Sequence, residues 1–370
     1  MTISAFPAFK PAMLMGRVRE ERARTALPLG RLVFVPSGRQ ALYLALRSVG
    51  VSRGDAVLLP SYLCPAVVAP LRELGAQPVF YGVDGHLRID LDDLTAIVRQ
   101  ETCKALVLVH YFGFPDPQLD AVLGLAREHG MPVIEDCAHA LYGQRDGKPL
   151  GSFGTAAVFS LRKSLATPEG GVLRLAEDAV LPPLDERAHW ERAGLAKLLV
   201  YALEAKSPIS LRGRLLASER VRYRAYERDA RSPVVPGRTM GRLSRRIFST
   251  ADPEAIVARR RRNFLHALGR FVELDAPGVR PLTHGLPDGV CPLGLPLTIE
   301  RGRASLQRRL YRQGFVLPAM WEDLPAAVPL DRYPDAARLR DSILVLPVHQ
   351  DLETEHIDRM IAALAQGVAR

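Results

Sequence analysis

Lysine is scarce in this 370-residue chain: only six occur among its 50 lysine and arginine residues. Arginine keeps its proton in a protein and cannot add to an aldehyde, so each lysine retained against that background calls for a reason. Cysteine is also rare. The four, Cys64, Cys103, Cys137 and Cys291, show no CxxC spacing and no clustered histidine. That excludes a zinc finger and a disulfide framework, and reads as reduced thiols. Long apolar runs are missing too: none approaches the roughly 20 residues of a membrane-spanning helix. The opening Met1-Thr2-Ile3-Ser4-Ala5 lacks a basic leader followed by an apolar core, and the expected location is the cytoplasm.

The net charge of +10 is concentrated in arginines between Glu186 and Arg262, ending in Arg259-Arg260-Arg261-Arg262. No helix-turn-helix, zinc-finger or aromatic RNA-binding signature accompanies it, so no nucleic-acid partner is expected and a solvated helix face is the favoured reading. Within this region Leu198, Leu199, Val200 and Leu203 mix with Lys197, Lys206, Arg212, Arg214, Arg220, Arg222 and Arg224. An apolar face flanked by cations suits an acidic membrane surface. Pro208 and Gly213 interrupt any continuous amphipathic helix, however, which disfavours membrane-surface contact against packing over the rest of the protein.

With 48% hydrophobic residues the chain can bury a large core. Its first half alternates short apolar runs with helical periodicity. Leu32 to Val35 is closed by Pro36-Ser37-Gly38, and Ala41, Leu42, Leu44, Ala45, Leu46 and Val49 then recur at helical spacing. Strands at Ala56–Leu59, Pro78–Tyr81, Ala105–His110, Pro132–Ile134 and Thr155–Ser160 enclose helices at Pro65–Leu74, Leu91–Val98 and Gln118–His129. This predicts an α/β fold with a mostly parallel sheet and a ligand at the carboxyl ends of its strands. Residues 181–236 read as an irregular, basic helical segment. Beyond them come a charged helix from Asp252 to Phe271, short strands, a helix near Ile299–Gln313, an apolar strand Ile343–Val348 and a last helix Glu353–Gln366. The expected organisation is a large domain over 1–245 and a smaller C-terminal α+β domain over 246–370.

Two of the predicted strand ends carry chemistry. Asp136, in Glu135-Asp136-Cys137-Ala138-His139-Ala140, follows one; Lys163, in Phe159-Ser160-Leu161-Arg162-Lys163-Ser164, follows another. An amine that forms a Schiff base and a carboxylate that keeps a pyridine nitrogen protonated are the pair needed by a pyridoxal 5'-phosphate enzyme. Asp136 alone could be a helix cap, and His110 reads as a core histidine.

Several stretches together resemble the DegT/DnrJ/EryC1/StrS family of pyridoxal phosphate-dependent sugar aminotransferases, members of the fold type I superfamily. They are Pro36-Ser37-Gly38-Arg39-Gln40-Ala41-Leu42, Gly54-Asp55-Ala56-Val57-Leu58-Leu59-Pro60-Ser61, Val109-His110-Tyr111-Phe112-Gly113, the Glu135 to Ala140 stretch, and Gly151-Ser152-Phe153-Gly154. The resemblance implies Lys163 as the cofactor-bearing lysine and Asp136 as partner of the pyridine nitrogen. It puts His139 near the cofactor's phenolic oxygen, Ser160 on its phosphate, and Gly38 and Arg39 at a helix start whose free amides cradle that phosphate. Where the family places an aromatic residue against the cofactor ring this chain has Cys64, with Tyr62 as the substitute. The loop from Phe159 to Lys163 is two residues shorter than the family pattern. The phosphate-binding asparagine that the family draws from a partner subunit has no counterpart around Arg238 to Arg245, where an arginine would take its place in a homodimer with shared active sites.

The implied activity is transfer of an amino group from an amino acid, glutamate by resemblance, to a keto sugar. The sugar is expected to be nucleotide-linked and to serve polysaccharide or secondary-metabolite biosynthesis. No metal is expected. A related branch that dehydrates sugars has histidine at the lysine position, and Lys163 argues against it. The alternatives are a non-catalytic or regulatory binding protein on the same fold, and an aminotransferase acting on a non-sugar keto substrate.

Overall fold

The computed structural model describes residues 3–181, 183–185, 234, 237–274 and 277–368. Most of the basic segment read above as irregular helices, including Leu195 to Arg228 with its membrane-surface reading, lies outside the described residues.

The chain opens with two short helices, α1 (Ala12–Met15) and α2 (Glu20–Thr25). The alternating half follows, with β1 (Arg31–Val35), α3 (Gly38–Ser48), β2 (Ala56–Pro60), α4 (Val68–Leu74), β3 (Gln77–Tyr81), α5 (Leu91–Gln100), β4 (Ala105–Val109), α6 (Leu119–Glu128) and β5 (Val133–Asp136). A two-stranded ribbon of β6 (Gln144–Arg145) and β7 (Lys148–Pro149) leads to β8 (Ala156–Ser160), the one-turn helix α7 (Leu161–Ser164) and β9 (Gly171–Leu175). After the undescribed stretch come α8 (Arg242–Ser249), α9 (Pro253–Glu273), β10 (Val279–Pro281), β11 (Gly294–Ile299), α10 (Arg303–Arg312), α11 (Pro334–Ser342), β12 (Ile343–Pro347) and α12 (Thr354–Val368).

β1 to β5 with β8 and β9 form one seven-stranded sheet in the order β1-β9-β8-β5-β4-β2-β3. Strands β3, β2, β4, β5 and β8 pair in parallel, and β9 runs antiparallel to both of its neighbours. The mostly parallel sheet expected from the alternation is present, with one reversed strand. Its strands are apolar throughout because helices cover both faces; all five residues of β4 are buried. Each fully buried Leu or Val there contributes about 1.5–3 kcal/mol relative to exposure.

The helices start where polar side chains satisfy free amides. Ser37 accepts from Gln40 N at 3.3 Å, Asp90 accepts from the amides of Asp92 and Asp93, and Asp252 accepts from Ala255 N at 3.2 Å. Such a cap is worth about 1 kcal/mol. Because β1, β2, β4, β5 and β8 all point the same way, the residues that follow them gather along one edge of the sheet.

A second, antiparallel sheet of β10-β11-β12 carries its own core, with Leu295, Leu297, Leu344 and Leu346 packed against Phe264 of α9, Leu306 of α10 and Ile361 of α12. Ile3 joins this core and bridges to Phe315, whereas Met320, Leu324, Tyr333 and Leu339 belong to the core of the large sheet. The two cores therefore interleave in sequence, and neither is confined to one side of residue 245.

Candidate active site

A cavity opens at the carboxyl edge of the large sheet. The turn after β1 contributes Ser37, Gly38 and Arg39; the turn after β2 contributes Leu63, Cys64, Ala66 and Val67; β5 and its following turn contribute Asp136, Ala138 and His139. Ser160, Arg162, Lys163 and Gly170 come from the end of β8 and beyond, and Trp321 closes one wall from the C-terminal half. Of the sequence-predicted residues, Lys163, Asp136, His139, Ser160, Gly38, Arg39 and Cys64 line this cavity. Tyr62 does not. Its ring is fully buried behind the wall, 5.0 Å from the ring of Trp321 and 6.0 Å from that of Tyr111, because the side chain of Tyr62 packs into the core while that of Cys64 reaches the opening.

Burial governs the charges in the cavity. It raises the Asp136 carboxyl above the ordinary carboxylate range, although Lys163 and the Ala138 amide, which donates to Oδ1 at 2.9 Å, pull it back. Burial likewise pushes the Lys163 ammonium down; Cys64 and Asp136 resist this and Arg162 reinforces it. Both groups are thus driven toward their neutral forms, and each favours the other's charge.

His139 is held neutral, its pKa pushed well down by burial and by Lys163. Its Nδ1 accepts from the Phe112 amide at 3.2 Å, so the ring proton sits on Nε2. The ring is stacked between Phe112 (5.6 Å, 28°) and Trp321 (5.5 Å, 23°), which leaves only its edge free. That buried Nε2 has no hydrogen-bond partner among the described residues, and an orphaned buried donor at a cavity wall suits an acceptor.

Gly38 and Gly170 line the cavity, and Gly171 lets β9 back closely onto the start of α3. A Cβ at Gly171 would stand 2.3 Å from the Ser37 carbonyl oxygen and 2.7 Å from the Gly38 amide, so no larger residue could back onto the start of α3. The Ser160 side chain lies 3.7 Å from where a Gly38 Cβ would be. The free amides of α3 and the Ser160 hydroxyl therefore bound one concave end suited to an anion.

Glu135, next to Asp136, serves a different purpose. Its Oε2 accepts from His110 Nε2 and the Gly151 amide, each at 2.9 Å, and its Oε1 accepts from the amides of Phe153 (2.7 Å) and Gly154 (2.6 Å). Burial opposes its charge, but the His110 partner and these amides outweigh it and hold the carboxyl below its usual range. Cys137 joins His110 and Glu135 in a buried group whose ligand atoms lie within 4.8 Å of one another. Both Glu135 oxygens are already committed to hydrogen bonds, so the group reads as a pin for the 151–154 loop.

The arginines expected to reach a partner subunit's phosphate, Arg238 to Arg246, lie outside this chain's own cavity, as that expectation requires. Arg246 donates to the carbonyls of Leu14 and Gly16, and the Arg245 guanidinium lies over the ring of Phe34. The sequence reading missed Trp321 as a lining residue and did not single out Arg162. Trp321 stands in an aperiodic stretch with no motif around it; Arg162 carried a signal, being adjacent to Lys163.

Aminotransferase TlmJ of Streptoalloteichus hindustanus superposes with a TM-score of 0.71 over 100% of this chain and 99% of its own, at 23% identity. The two chains accordingly share a fold. Residues 20–182 match the model of the DegT/DnrJ/EryC1/StrS aminotransferase family. GDP-perosamine synthase of Vibrio cholerae is 33% identical over 150 residues, 40% of each chain. A UDP-N-acetyl-3-dehydro-alpha-D-glucosamine 3-aminotransferase of Acidithiobacillus ferrooxidans is 34% identical over 169 residues, 45% of each. The matches thus span less than half the length of these curated relatives. Among the described residues no helix is long and apolar enough to cross a membrane.

Proposed function

We propose that this protein is a pyridoxal 5'-phosphate-dependent aminotransferase that passes an amino group from an amino acid, glutamate by resemblance, to a keto sugar carried on a nucleotide. The observation that carries this reading is the convergence of Lys163 and Asp136 in one buried cavity beside the amides of α3. The residues present fit the cofactor: an amine, a carboxylate, an orphaned imidazole donor and a glycine-lined anion cradle are the groups its aldehyde, ring nitrogen, phenolic oxygen and phosphate require. When bound, the cofactor supplies a ring that accepts the electron pair released at the donor's α carbon.

The chain's own residues do the rest. Lys163 Nζ, biased toward its neutral form, is suited to add to an aldehyde and then to take and return a proton. Asp136 keeps a proton on the ring nitrogen, and Lys163 beside it preserves the charge it needs for that task. His139 Nε2 donates to an oxygen and keeps its place through the Phe112 amide and the two flanking rings. The two curated relatives support a nucleotide-linked sugar as substrate, since the name of each specifies a GDP- or UDP-sugar.

The family resemblance supports a homodimer with shared active sites, which light scattering tests. The substrate class supports a cytoplasmic location, where nucleotide-linked sugars are made. The deciding experiment is an absorption spectrum of the purified protein with added cofactor. A near-visible band that shifts on adding glutamate is expected, and a shift restored by a nucleotide-linked keto sugar identifies the acceptor. No band at saturating cofactor would overturn the reading.

A further inference from the structure

Arg39, Arg162 and the Lys163 amine line the cavity together with the Asp136 carboxyl, while His139 is held neutral. Arg162 differs from the other two. It is exposed, and it makes no hydrogen bond or ion pair among the described residues.

Its place follows from the turn that carries it. Ser160 precedes the one-turn helix Leu161–Ser164 without a side-chain capping bond, and Leu161 turns inward to a fully buried position in the core. Arg162 and Lys163 are left to face the opening, with Lys163 half-buried and Arg162 exposed at the rim. A guanidinium that lines the same cavity as the Ser160 hydroxyl and the start of α3, with no anion paired to it among the described residues, suits the fork geometry of phosphate oxygens. The orphaned, buried His139 Nε2 in the same cavity is independent evidence that a ligand completes this space.

We propose that Arg162 is a phosphate anchor of this cavity, supplied by the same chain that supplies Lys163. Its ligand is a phosphate group, borne either by the cofactor or by a nucleotide-linked substrate. The inference rests on the aminotransferase reading only for these two sources; the Arg162 guanidinium, without a partner among the described residues, stands without it.

The test compares the full-length parent with Arg162→Gln and Arg162→Lys, after thermal melts have shown all three to be folded. Pyridoxal 5'-phosphate and pyridoxal, which lacks the phosphate, are titrated into cofactor-free protein, and UDP and GDP into cofactor-loaded protein by calorimetry. The Gln variant should lose about tenfold or more in affinity for one phosphate-bearing ligand, leave pyridoxal unchanged, and be partly rescued by Lys. Loss confined to pyridoxal 5'-phosphate assigns Arg162 to the cofactor's phosphate; loss confined to the nucleotides assigns it to the substrate's. Equal affinities in parent and Gln variant for all of these ligands, or an equal loss for pyridoxal, would overturn the proposal. A parent that captures no cofactor at Lys163 yet binds UDP or GDP through Arg162 would sink the aminotransferase reading alone.

Discussion

Arg260 donates from Nη2 to the carbonyl of Ser164, the residue after Lys163, at 3.3 Å. The same guanidinium donates to Pro292 O at 3.0 Å and to Gln350 Oε1 at 2.9 Å, and Gln350 Nε2 returns to Ser164 O at 2.9 Å. A side chain of α9, fully buried, thus ties the lysine-bearing turn to the C-terminal half. Replacing Arg260 with Met leaves the Pro292 carbonyl and the Gln350 amide oxygen short of a donor, while relieving a buried charge. The net loss should be about 2 kcal/mol of unfolding free energy, read from urea denaturation of cofactor-free protein. An unchanged midpoint would show that the tie adds nothing to stability.

Lys163→Ala removes a buried amine that no hydrogen bond in the described structure requires, so the variant should fold with unaltered or higher thermal stability. It should form no borohydride-fixed adduct with pyridoxal 5'-phosphate. Mass spectrometry of digested protein checks this: an adduct on any other lysine in the variant would remove Lys163 from its assigned role.

For Asp136→Asn the expected result is retention of bound cofactor with loss of most amino transfer, because the amide cannot hold the ring nitrogen's proton by charge; Asp136→Glu should lose less. Single-turnover absorbance changes with glutamate measure the step directly. Equal rates in parent and Asn variant would deny the carboxylate that part.

How much of this could be read from residues alone differs by region. The strand order near the site was legible because each strand is short, apolar and ended by a marker such as Pro36-Ser37-Gly38, so the period changes abruptly from strand to helix. Asp136 and Lys163 were legible as chemistry at strand ends. Tyr62 was placed at the cofactor by its type, but the chain direction after β2 turns its ring into the core, and no local pattern records that turn. Trp321 could not be found, since it reaches the cavity through contacts with Tyr62, Tyr111 and His139 that lie hundreds of residues away in sequence. The crossing of Ile3 into the C-terminal core is hidden for the same reason.

Asp116 gives a pH signature away from the cavity. Burial pushes its carboxyl up to about 6 against the pull of the Gln118 amide, His110 and the Ile89 amide. The fold therefore prefers the protonated form. That preference stabilises fully below the ordinary carboxylate pKa and is lost as pH rises through about 6. Asp116→Asn keeps an acceptor for the Gln118 amide and carries no charge, so its stability relative to the parent should rise by on the order of 2 kcal/mol between pH 4 and pH 7. Denaturation curves at the two pH values decide it; a constant difference would place the titration elsewhere.

The pleat of β5 divides its two adjacent acids between opposite sides of the sheet. Glu135 faces the 151–154 loop and is saturated with donors, while Asp136 faces the cavity with one oxygen uncommitted. Side chains alternate along a strand, so sliding β5 by a single residue would send each acid to the other's side. The loop would then lose its anchor at the same moment that the cavity received a carboxylate with the wrong reach. Pairing of Asp136 with Val109 on one side and Val158 on the other resists that slide from both directions. The register of one four-residue strand thus decides which of two neighbouring carboxylates is structural and which is available for chemistry.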